Sequence, residues 1–116
     1  MAVNVNLKAI DKAIVHNTAI TAATDILSAV IAPVSGRDVV TFRVYVAVNT
    51  LGIFSIQLTR SSTTVSANLN GGASLLANAL YAFDIPVHDG DDINFRHSVD
   101  ATLLLLRVRE IYAGVE

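Results

Sequence analysis

Large apolar residues occupy every second position between Val40 and Val48, and this pattern constrains the fold more than any other feature of the sequence. A period of two places successive side chains on opposite sides of an extended backbone, whereas an amphipathic helix needs apolar residues three or four positions apart. We therefore predict a β-strand with one buried face. That face carries Val40, Phe42, Val44, Val46 and Val48, and the opposite face carries Thr41, Arg43, Tyr45, Ala47 and Asn49.

The same period recurs along the rest of the chain, with turn residues between the apolar runs. Asn49 to Gly52 supplies a turn, so the first strand and the following one through Phe54, Ile56 and Leu58 are predicted to form a hairpin. Pro86 predicts an edge position or a bulge, because proline donates no ladder hydrogen bond. The other predicted strands are Thr63 to Leu69, Tyr81 to Val87, Ile93 to Phe95 and Thr102 to Tyr112.

The first third of the chain has a less regular pattern. Residues 1–12 predict an N-terminal arm or first strand, because polar and apolar residues alternate around Val3, Val5 and Leu7. The segment Ala19 to Ile31 fits either a helix or a strand. Its many β-branched residues favour a strand that ends before Pro33.

Seven or eight short strands without intervening helices indicate an all-β fold, an antiparallel β-sandwich of the jelly-roll type. The 116 residues contain no internal repeat, low-complexity run or linker. We therefore expect residues 13–116 to form a single sandwich domain.

Composition excludes several classes of function. Eight Lys and Arg against ten Asp and Glu give a formal charge of −2 without a basic block, so neither nucleic acid nor a membrane surface is an expected partner. The N-terminus has no signal-peptide pattern, and the longest apolar stretch is too interrupted to span a bilayer. The absence of cysteine excludes disulfides and thiolate metal sites.

Candidate catalytic and metal-binding residues are few. His16, His88 and His97 are not spaced as ligands on one element, and no serine lies in a nucleophile-elbow pattern. The cluster His88 to Asp92 offers oxygen donors that calcium prefers, but its Asp-Gly pair is first of all a turn signal, and its spacing departs from an EF-hand loop. We predict no enzymatic activity, no catalytic or metal site and no cofactor.

The predicted last strand is apolar on both faces. Hydrophobic residues make up 53% of the chain and charged residues only 16%, against about 25% charged in typical proteins. One face of the strand packs on the core, so the other needs a cover from a neighbouring subunit or from the chain's own loop or arm. Nearby arginines are either a solvated rim or interface ion pairs. The predicted interface comprises Val3, Val5, Leu7, Leu103, Leu104, Leu105, Leu106, Val108, Arg107 and Arg109.

The second half of the chain has a distinctive order of strand and turn residues. They are Leu80, Tyr81, Phe83, Asp84, Ile85, Val87, Gly90, Asp91, Ile93, Asn94 and Phe95. This order resembles the C-terminal half of small jelly-roll proteins of bacteriophages and related viral particles. Similar patterns occur in trimeric jelly rolls of the tumour-necrosis-factor and C1q types.

The resemblance implies a virion structural protein that decorates or cements a capsid as a homotrimer. Its partners would be copies of itself and the major capsid protein or other virion proteins, and it would reside in a virion assembled in the host cytoplasm. A phage tail or baseplate module that recognises a host receptor or glycan is the alternative.

Overall fold

Two antiparallel sheets form a β-sandwich in the computed structural model, which describes residues 5–36 and 39–115. The sheet orders are β1-β7-β2-β5 and β4-β3-β6, so the predicted all-β sandwich is confirmed. A short 3-10 turn at Asn70–Gly72 follows the fourth strand. The strands are β1 (Val5–Ile20), β2 (Val39–Val48), β3 (Phe54–Arg60), β4 (Thr63–Asn68), β5 (Tyr81–His88), β6 (Asp92–His97) and β7 (Ala101–Val115).

The core lies between the sheets and uses the face of β2 that the alternation predicts. The apolar side chains of this face, from Val40 to Val48, are between 0% and 3% exposed. Across from them, the rings of Phe54 and Phe95 stack with centroids 5.7 Å apart. Each such side chain contributes roughly 1.5–3 kcal/mol when fully buried, so this interior accounts for much of the favourable free energy of folding.

The predicted hairpin between the second and third strands is wrong. β2 pairs with β5 and β7, whereas β3 pairs with β4 and β6 in the other sheet. Both strands have one apolar face, and these faces are buried by packing against each other. The connection crosses the sandwich beside His97, where a Cβ on Gly52 would lie 2.7 Å from the His97 Nε2 atom.

The strand predicted from Ala19 to Ile31 is also wrong, because β1 ends at Ile20. Ala23 has a φ of +53°, in the left-handed region, which interrupts an extended backbone. Residues 21–31, here called the covering segment, instead run beside the free edge of β6. Ile31 and Ile93 exchange two backbone hydrogen bonds, at 3.0 and 2.7 Å.

The Asn94 side chain fixes the middle of the covering segment. Its Oδ1 accepts the Leu27 N–H at 2.9 Å, and its Nδ2 donates to the Leu27 carbonyl at 3.0 Å. This side-chain amide adds to the backbone hydrogen bonds that Ala23 and Ile26 donate to the His97 and Phe95 carbonyls, at 2.7 and 2.9 Å. Sequence periodicity cannot reveal such a contact, because the two residues are far apart in the chain.

The N-terminal arm or first strand predicted for residues 1–12 is a strand over its described part. The pairing of β1 with β7 begins at Val5 and Val115 and continues past the proposed boundary at residue 12. Lys12 forms a bulge at that boundary, between Asp11 and Ala13. Its Nζ lies 3.5 Å from Oε1 of the fully buried Glu110, so the bulge supplies a cation to a buried carboxylate.

The leucine run in β7 does not alternate as predicted. β2 pairs Ala47 with Leu105 but Val48 with Leu103, so Leu104 is an extra residue in a β-bulge. This bulge reverses the parity of the strand. Leu103 and Leu106 are therefore both fully buried, while Leu104 and Leu105 are half-buried.

Two adjacent leucines provide a test of the bulge. We expect Leu106→Ala to lower the free energy of unfolding by about 2–5 kcal/mol, because it opens a cavity in the core. Leu104→Ala should cost less than half as much, because Leu104 is only half-buried. Urea denaturation of both variants measures the difference, and equal losses would contradict the assigned bulge.

Candidate interaction surface

The face of the four-stranded sheet that points away from β3, β4 and β6 is here called the outer face. Directly paired residues of neighbouring strands project to the same side, so the registers define its members. The outer face carries Leu7, Ala9, Asp11, Ile14 and His16 on β1, Leu105, Arg107, Arg109, Ile111 and Ala113 on β7, Thr41, Arg43, Tyr45 and Ala47 on β2, and Ala82, Asp84 and Pro86 on β5.

One charged row crosses all four strands at the centre of the outer face. Asp11 pairs with Arg109, Arg109 pairs with Arg43, and Arg43 pairs with Asp84. Arg43 donates two hydrogen bonds to Asp84, at 2.8 and 3.0 Å. These bonds lower the pKa of Asp84 below its ordinary value, and the carboxylate raises the pKa of Arg43.

Asp11 forms salt bridges with two arginines on β7, Arg107 and Arg109. Arg107 donates to both Asp11 oxygens, at 3.0 and 3.1 Å, and this pair lowers the pKa of Asp11 while raising that of Arg107. Arg109 Nε lies 3.3 Å from Asp11 Oδ1, but outside hydrogen-bonding geometry. That Nε atom is buried and has no hydrogen-bond partner among the described residues.

The centre of the outer face therefore has more positive than negative charge. Three arginines there share two aspartates, and Arg43 and Arg109 are direct cross-strand neighbours. Like charges placed opposite each other on a sheet are destabilising. Tyr45 pairs with Arg107 in the adjacent row and lies two residues from Arg43 on the same face of β2, which places an aromatic ring among the guanidinium groups.

Apolar side chains lie on either side of the charged row. Leu7 and Ile14 on β1 are 80% and 58% exposed, and Leu105 and Ile111 on β7 are half-buried. β1 is also the edge strand of its sheet, with 16 residues. Aliphatic side chains around tyrosine and arginine are typical of the central part of a protein interface.

The structure separates the predicted interface residues into three groups. Leu7, Leu105, Arg107 and Arg109 lie on the outer face, and Leu104 is half-buried in the bulge beside it. The core residues are not available to a partner, so their assignment to an interface is corrected. These core residues are Leu103, Leu106 and Val108.

The two remaining interface predictions lie at the N-terminus. Val5 begins β1, where its backbone pairs with Val115, and Val3 lies outside the described residues. The sequence analysis also missed part of the surface. It placed Arg43 and Tyr45 on the exposed side of their strand, but only the strand registers bring them beside Arg107 and Arg109.

A polar cavity of about 300 Å³ lies on the opposite sheet. Gln57 is only 6% exposed there, and its Nε2 donates to the hydroxyls of Ser55 and Ser66 at 3.0 and 2.9 Å. Arg96 is held by Asp25, with 2.7 Å between Nε and Oδ1. The lining residues are Ala23, Ile53, Ser55, Gln57, Ser66, Asn68, Arg96, His97 and Ser98.

The segment His88 to Asp92 forms a turn in which Asp89 and Asp91 have partners within the protein. Asp91 accepts the His88 N–H at 3.0 Å and also bonds Arg60 at 3.1 Å. Asp89 Oδ2 accepts the Gly36 N–H at 3.2 Å. Across the described ranges, no group of three His, Cys, Asp or Glu residues comes together to hold a metal ion.

No protein-family model matches the chain, and no curated protein sequence matches it either. Within residues 5–36 and 39–115, no helix is long and apolar enough to cross a membrane.

The ion pairs of the charged row predict a pH dependence of stability. Because pairing lowers the pKa of Asp11 and Asp84, their contribution is complete above the ordinary value of 3.8 and is lost as the pH falls through the folded-state pKa. Thermal midpoints of the wild type and of an Asp11→Asn, Asp84→Asn double variant should converge as the pH falls below 3.8. A constant difference between the two curves would contradict this origin.

Proposed function

We propose that this chain is a structural subunit of a virus particle, a capsid decoration or cement protein. The observation that carries the proposal is the outer face, which combines the half-buried Leu105 and Ile111 with a central group of arginines and a tyrosine. Each Å² of apolar surface covered contributes roughly 25 cal/mol. A subunit that binds only the assembled shell stabilises it in proportion to its own binding.

We further propose that the sandwich is a jelly roll. The order β1-β7-β2-β5 forms one sheet, and the covering segment beside β6 extends the other to segment-β6-β3-β4. This arrangement of four plus four, with the covering segment in the eighth position, matches the strand count of a jelly roll. It supports the resemblance to small jelly-roll virion proteins.

We propose that three copies associate along the edge of β1. Half of the backbone groups of an edge strand point away from its one partner and are available to a neighbouring chain. Leu7 and Ile14 project beside that edge and are strongly exposed. A closed ring of three copies would cover both.

Light scattering of the isolated chain tests this association. We expect three times the chain mass of 12.3 kDa, and we expect Leu7→Asp with Ile14→Asp to give monomers, because buried unpaired carboxylates oppose the contact. Val65→Asp is the matched control, since Val65 is 59% exposed on β4 of the other sheet. A monomeric wild type would contradict the proposed trimer, and circular dichroism checks the fold of each variant.

Co-sedimentation with purified particles tests the decoration role itself. Wild-type protein should pellet with the virus particles and should raise the temperature at which the particles release their genome. Protein that stays in the supernatant at all concentrations would refute the role.

The polar cavity on the opposite sheet favours a second candidate, a tail or baseplate module that binds a host glycan. Serine, glutamine and asparagine side chains with fixed orientations can bind sugar hydroxyls. On a glycan array, Ser66→Ala with Asn68→Ala should abolish any wild-type signal. Thr63→Ala on the same strand should leave it unchanged, because Thr63 does not line the cavity. An array without signal would count against this candidate.

A further inference from the structure

We infer that the pair Arg43 and Arg109 on the outer face binds a carboxylate of a different protein, so that the partner docking there presents an acidic side chain. The inference rests on the proposed docking function and adds the chemistry of the partner. It begins from charge, since three guanidinium groups face two carboxylates in the charged row and the row beside it.

Hydrogen bonding within the cluster is unevenly distributed. Arg43 and Arg107 each make two hydrogen bonds to a carboxylate, whereas Arg109 has only the 3.3 Å contact to an oxygen that already accepts from Arg107. The buried Arg109 Nε has no hydrogen-bond partner among the described residues. The Arg109 side chain as a whole is 37% exposed, so the least neutralised guanidinium of the three can still be reached by a partner through its other N–H groups.

Both members of the arginine pair carry guanidinium N–H groups beyond the bonds to Asp84. The two bonds from Arg43 use its Nε and Nη2, and Nη1 carries two further N–H groups. Arg109 lies directly across the strand pair from Arg43. A carboxylate between them would separate two like charges and would accept charge-assisted hydrogen bonds from both.

The surroundings favour a carboxylate over a phosphate group. The local excess is one positive charge, which a single carboxylate neutralises. A phosphate group with nearly two negative charges would also face Asp11 and Asp84 at the two ends of the same row. The nearest rows carry Ile111 and Tyr45, which suit an acidic protein segment with apolar neighbours.

A second copy of this chain stacked in register on the outer face would meet like charges at this row. Along the row the charges run negative, positive, positive, negative, from Asp11 through Arg109 and Arg43 to Asp84. A twofold axis that stacks two outer faces in register would place arginines opposite arginines and aspartates opposite aspartates. The charged row is thus left for another protein, while copies of this chain meet along the β1 edge, where Leu7 and Ile14 lie.

Nuclear magnetic resonance of the arginine Nε–H groups tests the site without the natural partner. The protein is titrated with a synthetic peptide of alternating Leu and Glu, with its Leu and Gln counterpart, and with inorganic phosphate at equal ionic strength. We expect the Arg109 and Arg43 signals to shift with the Glu peptide alone. Absence of a shift, or a stronger shift with phosphate, would overturn the assignment to a carboxylate.

Binding to purified particles provides the second measurement. Arg109→Gln should weaken binding at least about 30-fold, because it removes one partner of a desolvated charge pair. Arg60→Gln removes the same charge from the other sheet and should leave binding unchanged, since within residues 5–36 and 39–115 the hydrogen bonds of Arg60 go to the turn at Asp89 and Asp91.

The two measurements distinguish the two proposals. If the wild type fails to bind particles while the Glu peptide shifts Arg109, the decoration role fails and the carboxylate site stands. If particles bind the wild type and Arg109→Gln equally, the carboxylate site fails and the decoration role stands.

Discussion

The burial of the inner face of β7 is the interaction on which the rest of the structure depends. Leu103, Leu106 and Val108 are fully buried against the second sheet, and β7 lies between β1 and β2. A strand in this position must keep its apolar side chains in the core, and the bulge at Leu104 allows it to do so along its whole length. The same constraint sets the composition of the outer face, because the β7 side chains that do not point into the core project from that face toward solvent or a partner.

The outer face contains two satisfied ion pairs and a third arginine that these pairs do not neutralise. Its ion pairs satisfy Asp11 and Asp84, and these pairs are exposed and therefore contribute little to stability. Its third arginine, Arg109, has an unbonded buried Nε and a like-charged neighbour. The monomer thus carries one arginine more than its aspartates neutralise, in a surface of tyrosine and aliphatic residues. Such a surface is suited to binding, because a partner can supply the missing negative charge.

Several elements were predictable from the sequence because their information is local. The alternation from Val40 to Val48 fixed both the strand and its buried face, and the turn at His88 to Asp92 was marked by its Asp-Gly pair. Pro86 indicated the edge position that β5 occupies. The hairpin prediction failed because an apolar face shows only that a strand packs on the core. It does not show whether the next strand in the chain pairs with it in the same sheet or packs against it from the opposing sheet. The strand predicted beyond Ile20 failed because this segment is held by the side-chain amide of Asn94, a residue far away in the sequence.

By itself, the sequence determined the period of the strands, the apolar content of the core and the absence of cysteine chemistry, since each depends on residue type and spacing alone. It also indicated that Leu7, Leu105, Arg107 and Arg109 could belong to a surface. Only the tertiary structure decided that Leu103 and Leu106 share one side of β7 and that Asp11, Arg109, Arg43 and Asp84 stand in one row. The physical reason is register: which residues of distant strands lie opposite each other depends on the packing of the whole sandwich, and a single bulge changes it.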